Sequence, residues 1–571
     1  MLRHLILLVI LSLVTLWPFF KKGFFESHDG EWMVIRFTAF HQALTSGQFP
    51  VRYVERLNNN YGYPVLNFLY PLPFYLAEIP KVLGLGFVDS IKAVFIASTV
   101  ISSLAMYWAL SRIATYTAAF AGAIIYLFIP YRFVDLYVRG SLGEIVALAV
   151  VPVIAGCILK LREKKQIYAP ILALAVGLLI LSHNVIAVLF LPFFLIFAFT
   201  LHGKNILSIP SERTLAFKPG MKRILSKEER TTAFRPWESI VWAFVLGIAT
   251  ATFFWLPALY DLKLVRISQI KVSEITDHLV DFSKLIFPSW GYGPNPNSPD
   301  GLSVQIGLVA VFIFLATLTI MIATKTKNKQ SFSSNNLISY MLIAFVLITL
   351  TNTKLALTFW QNLPGADAIQ FPWRMHSILI FITAFLAAFV IDSAKNKTLL
   401  VALVAVAAIT STIFYTKPST FVDRGDNYYA TNEDTTNSRD EYLPIWVRLK
   451  PKDRPAEKIE LVGPGQIVTK SQEHLKYEAV YESPAQTSLK INTVYFPQFV
   501  AKVDGRPSQI SYDNDLGVIS VKLPSGSHKA IISYTSSPVA RASEVISLLA
   551  LFGTGVYFFT LWRKPKIISD S

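Results

Sequence analysis

The chain has 571 residues, 53% of them hydrophobic and only 16% charged. Soluble globular domains carry about one-quarter charged residues, so this composition excludes a soluble enzyme and puts most of the chain in lipid. The net charge of +16 would suit a nucleic-acid partner, but the basic residues fall in short clusters between apolar runs, the pattern of membrane orientation. A single cysteine, Cys157, rules out a disulfide framework or a multi-cysteine metal site within one chain.

Residues 1–20 begin with Arg3 and continue as a long apolar run with no small-residue cleavage pattern. They read as an uncleaved first span, with a signal peptide as the alternative. A hydrocarbon core needs about 20 apolar residues per helix. On that ruler the chain holds about twelve transmembrane helices, near 4–20, 91–111, 114–130, 143–160, 167–182, 184–202, 238–258, 303–324, 335–351, 375–393, 398–416 and 543–562. The stretch 68–87, broken by Pro71, Pro73 and Pro80, is assigned to the interface.

Charge placement supports the count. With Arg3 inside, alternation puts Arg112, Lys160–Lys165, the loop 203–237, Lys325–Lys329, Lys395 with Lys397, and Arg563–Lys566 on one side. Both termini are then cytoplasmic. The outer face receives the first loop 21–90, residues 131–142, the loop 259–302, residues 352–374 and the long segment 417–542. That last segment is polar, has turn signals such as Asp504–Gly505, and alternates in runs such as KYEAVYE and GVISVKL. It predicts a small extracytoplasmic all-β domain, sandwich-like, between the last two spans. Residues 1–416 form the membrane domain, and 543–571 the last span with a basic tail.

The first loop is the most informative stretch. His28, Asp29 and Glu31 open a predicted helix in which Met33, Phe37, Phe40 and Leu44 recur at helical spacing, with Arg36, His41 and Gln42 on other faces. This suits a helix lying flat in the interface with its stripe in lipid. Further ionisable residues gather on the same side: Arg52, Arg139, Glu144, His183 in a two-residue turn, and Arg374. A charge at mid-membrane costs roughly 2.5–3.5 kcal/mol on insertion scales, so such residues point to function. Carboxylates serve as general bases or metal ligands, and arginine forks suit phosphate oxygens. Plainer readings stand beside these. Asp29 is also a natural N-cap, Glu31 a first-turn acid, and His41 a solvated side chain. Arg139 and Glu144 are five apart, so they meet as an ion pair only if Arg139 is still in a loop. His183 also closes a tight hairpin, and Arg374 suits an interfacial anchor. Trp290–Gly291–Tyr292–Gly293 reads equally as an aromatic belt or a lid.

Taken in order, SHDGEWMVIRFTAFHQALTSGQFPVRY, NNNYGYPVLNFLYPLPFYL, YVRGSLGE, LLSHN and QFPWR resemble the bacterial membrane proteins labelled 6-pyruvoyl-tetrahydropterin synthase-related. These are similar to YfhO-like proteins and to the GT-C class of glycosyltransferases. EYLP (Glu441–Pro444) and VYFPQFVAKVDGRP (Val494–Pro507) resemble the YfhO-like C-terminal region. The resemblance runs over nearly the whole chain. It implies a polytopic enzyme at the outer face of a bacterial or archaeal cytoplasmic membrane, moving a sugar from a polyprenyl-phosphate donor to an envelope glycan, lipid or protein. It implies no pterin chemistry. An acid in the first outer loop is the base expected of that class. That role falls on Asp29, with Glu31 and His28 beside it; Arg139, Arg374 and Arg52 would hold the lipid phosphate, and Glu144 and His183 would support. Where the class carries paired acids this chain has His28–Asp29. The resemblance leaves room for a divalent cation, Mg or Mn, and requires none. Two other classes fit the composition, a flippase for lipid-linked glycans and a non-catalytic, glycan-binding envelope scaffold. A flippase needs charges along a path through the bilayer, whereas here the polar residues sit at one end of the spans.

Overall fold

The computed structural model describes residues 1–207, 236–271, 273–287, 289–327, 332–435 and 439–563. Most of the basic loop 203–237, the end of the Lys325–Lys329 cluster and the tail past Arg563 lie outside the described residues.

The membrane body begins with α1 (Leu2–Thr15), α2 (Gly30–Thr45), α3 (Leu72–Val82), α4 (Phe87–Leu110) and α5 (Tyr116–Leu127). It continues with α6 (Pro130–Phe133), α7 (Leu142–Arg162), α8 (Tyr168–Ser182) and α9 (Asn184–Leu207). All twelve apolar runs are helical. Among the described residues six helices are long and apolar enough to cross a membrane: Phe87–Leu110, Leu142–Arg162, Asn184–Leu201, Pro372–Ser393, Lys397–Tyr415 and Pro538–Arg563. The number is eight if each of two bent pairs is one span, Tyr116–Leu127 with Pro130–Arg139 (47°) and Pro236–Thr250 with Thr252–Leu264 (63°). The other four, Leu2–Thr15, Tyr168–Ser182, Leu308–Ala323 and Asn336–Thr351, are shorter. Twelve full-length crossings are therefore more than helix length supports. The protein is multi-pass and helical, with an apolar core running through α4, α5, α7, α8 and the helix His376–Ser393.

Two expected loops are helical instead. The pair Tyr131–Leu142 is not a loop: α6 runs into a π turn, Val134–Arg139, which Gly140 ends in the left-handed region (φ 61°). Part of 259–302 continues the bent helix Thr252–Asp261. α2 also departs from its predicted setting. Val34, Ile35, Arg36, Thr38 and Ala39 are buried along with Met33, Phe37 and Phe40. Protein therefore covers it on several faces, and no stripe is left for lipid.

The cover is a strap, residues 417–435 and 439–447, in the first part of the segment predicted to be β. Its strand β2 (Phe421–Val422) pairs with β1 (Phe24–Phe25) just ahead of α2. The helix Asp426–Thr431 packs on α2, and the Asp426 carboxylate accepts from the Phe87 and Val88 amides at 2.7 and 3.0 Å, capping α4.

The sandwich itself runs from Ile459 to Tyr534. One sheet has the order β3 (Ile459–Val462), β6 (Thr487–Val494), β10 (Val518–Leu523), β9 (Ile510–Ser511). The other is β4 (Gln466–Glu473), β5 (Lys476–Ser483), β11 (Gly526–Tyr534), β7 (Phe499–Val503), β8 (Arg506–Ser508), and every pairing is antiparallel. In β5 the alternation of KYEAVYE places Tyr477, Ala479 and Tyr481 inside, as period two requires.

This unit is docked. Tyr53 of the first loop is buried in the sandwich core and donates to the Val494 carbonyl at 2.7 Å. Glu55 accepts from the Tyr477 hydroxyl at 2.7 Å and lies 3.7 Å from Lys458. The turn that carries these contacts has Asn58, Asn59 and Asn60 all at positive φ, a conformation Asn tolerates better than other side-chain-bearing residues.

Candidate functional site

The N-terminus of α2 is stitched to the π turn through backbone. The His28 and Asp29 amides donate to the Val138 and Arg139 carbonyls at 3.0 and 2.7 Å. Gly140 lies so close that a Cβ there would stand 2.5 Å from Ser27 Oγ and 2.7 Å from the Gly30 amide. SHDG and VRG, more than a hundred residues apart, are thereby one rigid piece.

On it stands a buried charge cluster. Arg139 Nη1 donates to Asp135 Oδ1 and to Glu144 Oε1, both at 2.6 Å. Asp135 and Arg139 share a helical face, while Glu144 belongs to the next helix, α7. The break at Gly140 is what lets residues five apart meet, so the pair forms although Arg139 ends a π turn rather than a loop. Tyr131 donates to Glu144 Oε2 at 3.2 Å. Arg374 Nε lies 3.5 Å and His183 Nε2 3.8 Å from Glu144 Oε1. His183 Nδ1 accepts from the Ile186 amide at 3.3 Å, which leaves the proton on the nitrogen facing Glu144. QFPWR supplies both Arg374 and Trp373, whose ring lies 4.5 Å from the Arg139 guanidinium. Each of these four charged side chains is at least nine-tenths buried.

Asp29 is half-buried at the edge of this cluster and acts electrostatically on Arg139 and Arg374, and on Tyr70 and Tyr442. Its side chain makes no capping bond. Ser27 Oγ instead accepts from the Gly30 amide at 3.2 Å, so the N-cap work belongs to serine. Among the described residues the Asp29 carboxylate has no hydrogen bond or ion pair. His28 donates from Nε2 to the Tyr292 carbonyl at 2.7 Å. Burial holds its imidazole below the ordinary histidine value, against the opposing pulls of that bond and Asp29, so it is neutral at pH 7.

Other expected site residues go elsewhere. Glu31 accepts from Arg424 at 2.9 Å and from the Tyr429 hydroxyl at 2.8 Å, which ties α2 to the strap. Arg52 donates to Glu544 at 3.0 Å and to the Phe253 carbonyl at 2.8 Å. It braces the last helix against a bent span, with its terminal nitrogen committed to Glu544 and the Phe253 carbonyl. His41, expected in solvent, pairs with Glu78 at 2.9 Å. Trp290 stacks on Tyr415 at 4.2 Å.

Sequence reasoning passed over Tyr131, Asp135, Tyr70, Tyr442 and Arg36. Tyr70 stacks on His183 at 4.8 Å, and a Cβ at Gly143 would stand 2.3 Å from its ring. A signal existed for Arg36, since it lies seven residues after Asp29 and so on the same helical face. For the tyrosines there was none.

Among the described residues no three His, Cys, Asp or Glu side chains lie close enough to hold a metal ion. Asp135 and Glu144 both bond Arg139, so among the described residues Mg or Mn has no ready set of donors.

No family model and no curated protein matches the chain. Among solved structures it is similar to the arabinofuranosyltransferase AftD from mycobacteria, at 12% identity and TM-score 0.44, covering 74% of this chain and 29% of that one. It is also similar to the oligosaccharyltransferase of Archaeoglobus fulgidus in the apo form, at 15% identity and TM-score 0.43, covering 77% and 61%. The same organism's AglB, in complex with an inhibitory peptide and a dolichol-phosphate, matches at 15% identity and TM-score 0.42, covering 78% and 61%. The chain spans less than two thirds of the length of each of these. Likeness at such scores does not establish a shared fold.

Proposed function

We propose that the chain is a membrane glycosyltransferase of the GT-C type, taking a sugar from a polyprenyl-phosphate donor and passing it to a hydroxyl of an envelope glycan, lipid or protein. The observation that carries this reading is the free carboxylate of Asp29. It faces the Arg139–Arg374 cluster while the neighbouring acids are committed: Glu31 to Arg424, Asp135 and Glu144 to Arg139. The ordered resemblance of SHDGEW, YVRGSLGE and QFPWR to the 6-pyruvoyl-tetrahydropterin synthase-related membrane proteins, themselves similar to the GT-C class, supports it.

In this mechanism Asp29 accepts the proton of the acceptor hydroxyl as its oxygen bonds to the anomeric carbon. The bond from that carbon to the phosphate oxygen breaks, and the electron pair leaves with the polyprenyl phosphate. Arg374, backed by Arg139, stabilises the charge appearing there. One free acid suits a single displacement with inversion, because a retaining double displacement needs a second, nucleophilic carboxylate. An apolar cavity of about 340 Å³, lined by Ile125, Phe128, Ile129 and Tyr415 among others, opens beside Pro130, the residue before Tyr131. In this reading the site and the β unit lie outside the cytoplasmic membrane and both termini inside, which puts the basic clusters on the inner side.

The test is Asp29→Asn. Since the side chain makes no structural bond, the variant keeps its expression level and thermal stability and loses roughly 10²–10⁴-fold in transfer. Mass spectrometry of envelope glycans, comparing the deletion strain complemented with wild type or variant, reads the loss. Envelope modification at the wild-type rate in the variant refutes the base, and an unchanged envelope in the deletion strain itself favours the scaffold.

A further inference from the structure

Arg36 is an anomaly. It sits on α2, only 6% exposed, and its Nε is buried without an acceptor. Arg52 and Arg374 also leave Nε unused, but their terminal nitrogens are bonded. Arg36 forms no hydrogen bond or ion pair with any described residue. A buried, unpaired charge is costly enough that proteins rarely keep one without a partner.

Its position suggests what the partner is. Arg36 lies on the Asp29 face of α2, about 10 Å further along the axis. Tyr70 and Tyr442 each interact electrostatically with Asp29, Arg36 and Arg374, and Tyr442 with Glu441 as well. Neither phenol hydroxyl is bonded to a described residue, and neither is counted among the buried atoms lacking a partner. Tyr442 comes from the strap, held there by its amide bond to the Tyr63 hydroxyl at 3.2 Å and by stacking on Phe68 at 5.4 Å.

Charge balance sharpens the point. Four carboxylates (Asp29, Asp135, Glu144, Glu441) stand against three guanidiniums (Arg36, Arg139, Arg374), so the formal sum is −1. When Asp29 takes the acceptor proton the sum rises to zero. At the same moment the departing phosphate goes from diester to monoester and gains one negative charge. Arg36 is the guanidinium that no acid holds.

We propose that Arg36, with the Tyr70 and Tyr442 hydroxyls, is a second anion-binding point of the site and holds a phosphate monoester, the leaving group of the transfer. This rests on reading the surroundings of Asp29 as the substrate site. The strap is then part of the binding machinery, because it delivers Tyr442.

The experiment uses the full chain purified in detergent. Thermal unfolding is followed with no additive, with undecaprenyl phosphate and with inorganic phosphate, for wild type, Arg36→Met, Arg36→Lys and Asp29→Asn. In the absence of ligand Arg36→Met is at least as thermostable as wild type, because no hydrogen bond or ion pair to a described residue is lost and a buried charge is removed. It binds undecaprenyl phosphate about a hundredfold more weakly, Arg36→Lys restores part of the affinity, and Asp29→Asn, which removes a negative charge near the anion, binds at least as tightly as wild type. An Arg36-dependent shift with inorganic phosphate too supports recognition of the headgroup alone; one with the lipid only supports recognition of headgroup and chain together. Equal affinity in wild type and Arg36→Met overturns the proposal, as does loss of ligand-free stability in both Arg36 variants, the mark of a structural arginine. Asp29→Asn that binds normally but still transfers sugar would fault the base and leave the anion point standing.

Discussion

Glu144 is the hub whose removal tests the electrostatic account most directly. One oxygen accepts from Arg139 at 2.6 Å and lies 3.5 Å from Arg374 and 3.8 Å from His183, while the other accepts from Tyr131 at 3.2 Å. Glu144→Gln keeps the shape and deletes the charge. Arg139 retains Asp135 at 2.6 Å, but Arg374 is left with the Ile369 carbonyl and the Gln370 side chain alone. Removing one member of a buried ion pair costs about 3–5 kcal/mol, because the other charge stays buried without compensation. Adding Arg374→Met restores the charge balance, so the double variant should recover about 1–2 kcal/mol of that loss, within the usual coupling range for contacting residues. Equilibrium unfolding in mixed micelles, followed by tryptophan fluorescence, reads both quantities. A Glu144→Gln protein within 1 kcal/mol of wild type, an order-of-magnitude bound well below the buried-pair cost, would refute the reasoning. So would a double variant whose losses simply add.

Two further outcomes follow from the same geometry. Gly140→Ala places a Cβ in a left-handed residue, worth about 1–2 kcal/mol, and also drives it into Ser27 and Gly30; it should lower both stability and transfer. Gly47→Ala, also at positive φ but with nothing within 4 Å of the new Cβ, should lose only the backbone part, and equal effects at the two sites would deny the stitching of SHDG to VRG. The second concerns the joint between first loop and sandwich. Burial holds the Lys458 ammonium down at about 8, from 10.5, against the upward pull of Glu55. The unfolded chain therefore binds the proton more tightly, and the penalty is fully present below pH 8 and relieved as pH rises to 10.5. Stability of wild type relative to Lys458→Met should climb by up to about 3 kcal/mol across that window, measured by the same unfolding titration at each pH. A flat difference would place Lys458 in water. Burial alone would raise the Glu55 carboxyl, but His474, Lys458 and Tyr477 outweigh it and hold the group below the usual carboxylate range. Its contribution is accordingly lost only when pH falls well into the acid range.

Much of this protein could be read from one dimension. Apolar run length is a property of consecutive residues, so the helical runs and the β segment were visible as composition and period. So were the charged residues that matter, because an ionisable group beside an apolar run stands out wherever it ends up. Asp29, Arg139, Glu144, His183 and Arg374 were all picked out this way, and the structure brings them together. What composition could not decide is which of those charges cancel one another. Arg52 and Glu31 look as available as Arg374 and Asp29 until Glu544 and Arg424, some 490 and 390 residues away, are seen beside them. Tyr70 and Tyr442 were invisible for the converse reason, since their significance lies in partners they lack, and Arg36 showed only as a polar residue sharing a helical face with Asp29. Pairing is settled by contacts between distant segments. Here those contacts are set by the π turn and Gly140, which aim Arg139 at Glu144, and by the strap, which crosses α2 and leaves one acid and one guanidinium open.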